Sequence, residues 1–95
     1  MGQPKKSKYK NVVIKKKRYY YYKITWQDPT GDSGHADAHS SLSLVPAIMI
    51  THAYVFLKSR KYVWTFASYE ENDELFSDRN VFPIGCILKM ERVGY

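Results

Sequence analysis

Cysteine is almost absent from this 95-residue chain: Cys86 stands alone, so an internal disulfide is excluded, and a lone thiol fits a reducing compartment. Helical patterning is missing too. No window of about 11 residues repeats apolar side chains at i, i+3, i+4 and i+7, which argues against a helical bundle. Long apolar runs are equally scarce. The apolar cluster nearest the N-terminus is Val12-Val13-Ile14, short of the roughly 7–15 residues of a secretory apolar region. The stretch from Val45 to Leu57 is interrupted by Thr51 and His52 and falls short of the roughly 20 residues that cross a bilayer as a helix. These absences predict a soluble, intracellular protein with no membrane partner.

Acidic residues are missing from the first part of the chain. Up to Lys23 there are nine basic residues (Lys5, Lys6, Lys8, Lys10, Lys15, Lys16, Lys17, Arg18 and Lys23) and no acidic one, whereas the remainder holds six basic and nine acidic residues. A mildly acidic body with a basic extension is therefore expected, and residues 1–17 read as a basic, flexible N-terminal arm ahead of one domain, residues 18–95. Such an arm either neutralises phosphates, releasing counterions, or serves as a solvated tail.

What the chain has in abundance is β-branched and aromatic residues, including nine tyrosines, and these favour strands. Five strands are expected. The first spans about Arg18 to Trp26 (RYYYYKITW), and a polar loop, about Gln27 to Leu44, follows it. The second opens after Pro46 as AIMITHAYVFLK, and a tight turn at Ser59-Arg60 leads into the third, Tyr62 to Tyr69. After the acidic loop Glu70 to Glu74 come a short fourth strand, about Arg79 to Phe82, and a fifth, Cys86 to Val93. Both faces of the central hairpin are apolar: Tyr62, Trp64 and Phe66 lie on one side of the third strand and Val63, Ala67 and Tyr69 on the other. A sheet with one wet face would alternate cleanly, so shielding by neighbouring subunits is expected. The fold class is all-β: a five-stranded, strongly bent antiparallel barrel with at most a short helix.

The C-terminal run Val81-Phe82-Pro83-Ile84-Gly85-Cys86-Ile87-Leu88-Lys89-Met90 resembles the second motif of the Sm-like (LSm) proteins, in which an apolar strand, a Gly turn and a further apolar strand follow one another. With Thr25-Trp26-Gln27-Asp28, Asp32-Ser33-Gly34-His35 and Pro46-Ala47, the chain is similar to small phage proteins whose marine cyanophage members are described as Sm-like. The resemblance covers residues 18–95. It implies an Sm-like β-barrel and a homo-oligomeric ring of five to seven subunits in which strand four of one subunit pairs with strand five of the next. A phage-encoded protein of this kind would work in the host cytoplasm. The pattern departs from the family at two places: Ile84 stands where the motif carries an RNA-contacting Arg, and Lys58-Ser59-Arg60-Lys61 stands where Asp and Asn are expected.

Single-stranded RNA is the nucleic-acid partner the resemblance implies. Its candidate contacts are the turn residues Lys58, Arg60 and Lys61, the Ile84-Gly85 turn, and Lys15, Lys16, Lys17 and Arg18 at the end of the arm. Other readings stay open. Gly31-Asp32-Ser33-Gly34 matches the nucleophile segment of trypsin-like proteases, but no His precedes Ser33 and no partner set is in place for a nucleophile. His35, Asp37 and His39 would share one face of an extended segment, as metal ligands could; an ordinary polar loop explains the same residues. The expectation is a non-enzymatic protein without cofactor or metal. The alternative is a phage accessory oligomer that binds a small anionic ligand or a host protein, with a metal-dependent hydrolase as the third reading.

Overall fold

The structure is a computed structural model that describes residues 7–29, 31–72 and 75–95. The chain is all-β. Its strands are β1 (Asn11–Ile14), β2 (Lys17–Asp28), β3 (Ala47–Lys58), β4 (Tyr62–Phe66), β5 (Ser68–Tyr69), β6 (Phe76–Ser77), β7 (Asn80–Pro83) and β8 (Ile87–Arg92), with one turn of α-helix, α1 (Ala38–Ser41), and a 3-10 turn at Ile84–Cys86. All pairings are antiparallel. The main sheet runs β1-β2-β3-β4-β7, with β8 also on β2, and β5 and β6 form a separate ribbon.

Tyr21 shows how one strand serves three partners. Its N–H donates to the Lys10 carbonyl at 2.9 Å and its carbonyl accepts from the Val93 N–H at 3.0 Å. Both backbone groups of one strand residue point to the same edge, so β1 and β8 lie end to end along one edge of β2 while β3 takes the other. The two strands of the central ladder are long because turn formers are excluded from them: Pro46 precedes β3, where a missing N–H costs the ladder least, and β2 is dense in Tyr, Ile, Thr and Trp.

Each face of this ladder buries apolar side chains. Tyr19, Ile14 and Phe66 are buried together with Val12, Tyr54 and Phe76 packed against them, the β5–β6 ribbon bringing the Phe76 ring to 4.7 Å from that of Phe66. On the opposite face, one residue on in the alternation, lie the buried Ile24, Ala53, Val63 and Phe82. Trp26 and Phe82 meet at 5.2 Å between ring centroids although β3 and β4 separate their strands in the sheet order, so the sheet is strongly curled over this face. A register shift between Val55 and Leu57 supplies bend and extra twist, as bulges do.

Several expectations need correction. The sheet is not a closed five-stranded barrel: among the described residues β7 and β8, at opposite ends of the order, do not pair. The third strand stops at Phe66, because Ala67 leaves the ladder and its N–H donates to the Ser77 carbonyl, opening the β5–β6 ribbon. Residues 11–14 of the expected arm form β1, with Val12, Val13 and Ile14 supplying β-branched side chains and Ile14 burying to 4 % exposure. Residues 1–6 of that arm lie outside the described residues.

Candidate nucleic-acid interface

The β3–β4 turn is built by Ser59. Its N–H donates to the Tyr62 carbonyl at 2.8 Å, and its hydroxyl accepts from the Tyr62 and Lys61 N–H groups at 3.0 and 3.2 Å. This side chain to backbone closure, typical of serine in turns, leaves Arg60 at the tip with Lys58 and Lys61 beside it, all three exposed. The Ile84 N–H donates to the Lys61 carbonyl at 2.8 Å. One hydrogen bond thus joins the basic turn to the Ile84-Gly85 turn, two sites 23 positions apart in sequence. Gly85 is exposed and Ile84 half-buried.

Lys15 and Lys16 form the two-residue β1–β2 turn, both with left-handed backbone (φ 50° and 68°). Lys17 and Arg18 follow as the first residues of β2. The Lys17 ammonium lies 5.8 Å from the centre of the Phe56 ring, two residues before Lys58, so Phe56 stands between the two lysine-bearing turns. Arg18 is half-buried and points, by alternation, to the face opposite Lys17.

The histidine loop does not make a ligand set. Residues 38–41 are helical, which breaks the alternation that would have aligned His35, Asp37 and His39. Asp37 is the N-cap of α1: its carboxylate accepts the Ser40 N–H at 2.7 Å, and this backbone hydrogen bond, followed by the Ser40 hydroxyl, holds its pKa below the usual carboxylate value. Asp32 accepts the Gly34 N–H at 2.8 Å, an Asx turn that accounts for Asp-Ser-Gly without chemistry. The turns here belong to Asp32 and Asp37. Among the described residues no three His, Cys, Asp or Glu side chains group as a metal site. A cleft of about 330 Å³ beside Phe56, Trp64 and Phe66 has Arg79 among its lining residues.

A cationic surface of different make lies on β2 and β8, away from the expected turns. The Arg92 guanidinium sits 3.9 Å from the centre of the Tyr20 ring, and its Nε donates to the Tyr22 hydroxyl at 3.1 Å. That hydrogen bond raises the Arg92 pKa above its ordinary value. On the other face the Lys10 ammonium lies 4.1 Å from the centre of the Tyr21 ring. The Arg92 contacts escape a reading of the sequence because they depend on β8 returning to β2, a pairing that sets Arg92 opposite Tyr22, 70 positions away.

No helix among the described residues is long and apolar enough to cross a membrane. Comparison of the chain with protein-family models, with curated proteins and with solved structures gave no match.

Proposed function

We propose that this chain is a non-enzymatic, Sm-like subunit of a homo-oligomeric ring that binds single-stranded RNA, with Lys58, Arg60 and Lys61 contacting phosphates beside the Ile84-Gly85 turn. The observation that carries the reading is the Ile84 N–H to Lys61 carbonyl hydrogen bond, which joins the two turns that line the central hole in rings of this kind. Two further features support it. The order β8-β2-β3-β4-β7, with a short β7, a glycine-bearing 3-10 turn and a final strand, follows the strand sequence of the resemblance. The outer edges of β7 and β8 are open among the described residues and carry exposed Val81 and Leu88, and open edges of this kind are templates for another chain.

Lysine at the β1–β2 turn fits the same reading. Left-handed φ at a non-glycine residue costs on the order of 1 kcal/mol, and Asn-Gly takes this turn type more readily. Two lysines there place charge at the expense of stability.

Fluorescence anisotropy with a labelled 12-nucleotide RNA, read across a salt series, tests the proposal. Binding should weaken linearly in log salt, and Lys58→Ala, Arg60→Ala and Lys61→Ala combined should flatten the slope by about 2, at roughly 0.7 per lost phosphate contact on a single strand. An unchanged slope in the folded triple variant would remove these residues from the interface, and absence of RNA binding by the wild type would end the reading.

A further inference from the structure

The even-numbered residues of β2 share one face, so Arg18, Tyr20 and Tyr22 form a row. Arg92 stands opposite Tyr22 in the β2–β8 register, and Asn11 of β1 stands opposite Tyr20. Tyr9 bridges Gly94 at the point where β1 and β8 meet. The Arg92 guanidinium is 3.9 Å from the Tyr20 ring centre, 5.6 Å from that of Tyr9 and 6.0 Å from that of Tyr22, and its Nε is held by the Tyr22 hydroxyl. Three rings and one hydrogen bond therefore fix a guanidinium that is exposed to solvent.

The electrostatics of this row are one-sided. Among the described residues Arg92 has no carboxylate partner: Glu91, its neighbour on β8, lies on the other face by alternation and pairs with Lys89 at 3.5 Å. Along β2 the first carboxylate on the face of Tyr20 and Tyr22 is Asp28, six residues, or roughly 20 Å, beyond Tyr22. Arg18, two residues before Tyr20, adds a second cation to the same row. Exposed arginine in proteins commonly finds a carboxylate. A solvent-exposed guanidinium 3.9 Å from a tyrosine ring centre offers the two things an unpaired nucleotide presents surfaces for: a π-stacking plate for the base and forked donors for the phosphate.

We infer that Arg92, with Tyr9, Tyr20, Tyr22 and Arg18, forms a second contact surface for single-stranded RNA, in which a base stacks on the exposed guanidinium and a flanking phosphate is neutralised by Arg18. The inference rests on the RNA-binding reading above but uses residues separate from the Lys58–Lys61 turn. It assigns base stacking and one phosphate contact to this row and a purely electrostatic role to the turn.

Arg92→Lys keeps the charge and removes the plate. In the anisotropy assay it should weaken RNA binding by about 5- to 150-fold, the loss of one stacked base, while leaving the salt slope unchanged. Arg18→Ala, which removes the phosphate contact and leaves the plate, should instead flatten the slope by about 0.7. Melting curves of each variant separate this from loss of the β2–β8 tie. Cross-linking of the wild-type protein to RNA carrying 5-iodouracil, mapped by mass spectrometry, needs no variant: adducts on Tyr9, Tyr20 or Tyr22 are expected. Wild-type affinity in a folded Arg92→Lys protein, or adducts confined to the neighbourhood of Tyr62, would overturn this site and leave the turn-based reading standing. Failure of the wild type to bind RNA would remove both.

Discussion

Phe66 is fully buried and touches Tyr19, Tyr54, Tyr69 and Phe76, ring to ring, within 4.7 to 6.3 Å. Truncating it leaves a cavity that neighbouring rings cannot fill, so Phe66→Ala should destabilise the protein by about 3–5 kcal/mol in denaturant titration. Leu42, 84 % exposed in the polar loop, should tolerate alanine within about 0.5 kcal/mol. Tyr54 gives a pH signature. Burial, then the nearby Tyr69, raises its phenol pKa above the ordinary value of 10.0. A raised pKa means the folded state favours the neutral phenol: the contribution is fully present below the unfolded pKa and is lost as pH rises through the folded one. Stability should therefore fall above about pH 10, and Tyr54→Phe should lessen that alkaline loss in melting curves recorded from pH 8 to 11. The RYYYYK run was legible as a strand, but which tyrosine is core was not: Tyr19 is buried and Tyr20 only half so, because the β5–β6 ribbon packs on one face alone.

Among the elements, β1 departs most from expectation. Its basic neighbours Lys8, Lys10, Lys15 and Lys16 gave the segment the composition of a solvated arm, yet three β-branched residues in a row suffice for a strand once β2 offers an edge. Ile14 then joins the Tyr19 and Phe66 cluster. Removal of residues 1–17 should therefore lower the melting temperature as well as any RNA affinity. Replacing Lys15-Lys16 by Asn-Gly should stabilise the hairpin by on the order of 1 kcal/mol, read as an upward shift of the melting curve, and should flatten the salt dependence of RNA binding if both lysines meet phosphate. The β3–β4 turn and the start of β3 at Ala47 were readable from Ser59-Arg60 and Pro46, since turn chemistry is local. The end of β4 was not readable, since Ala67 leaves the ladder only because Phe76 and Ser77 come back to meet it.

For the whole molecule, burial is unfinished. Fifteen large apolar side chains among the described residues are exposed, Ile48, Met49 and Ile50 in succession among them, and the Cα radius of gyration is 17.9 Å against roughly 12 Å for a compact domain of this length. Edge strands with apolar side chains, in a chain this short, favour self-association. Native mass spectrometry at micromolar concentration should find a multiple of the 11.1 kDa chain, and Val81→Lys or Leu88→Lys, placing charge on an open edge, should reduce that mass. A stable protomer at the single-chain mass would exclude the ring.

Sequence by itself determined the strand content, the antiparallel hairpins and the placing of charge at turns. Those follow from alternation, β-propensity and turn chemistry, which act over a few residues. Only the tertiary structure decided that Ile84 meets Lys61, that Arg92 lies on Tyr20, and that β1 completes the sheet. The first follows from β7 pairing with β4, the second from β8 returning to β2, and the third from Ile14 packing with Tyr19 and Phe66; each is fixed by contacts beyond the reach of the residues' local preferences.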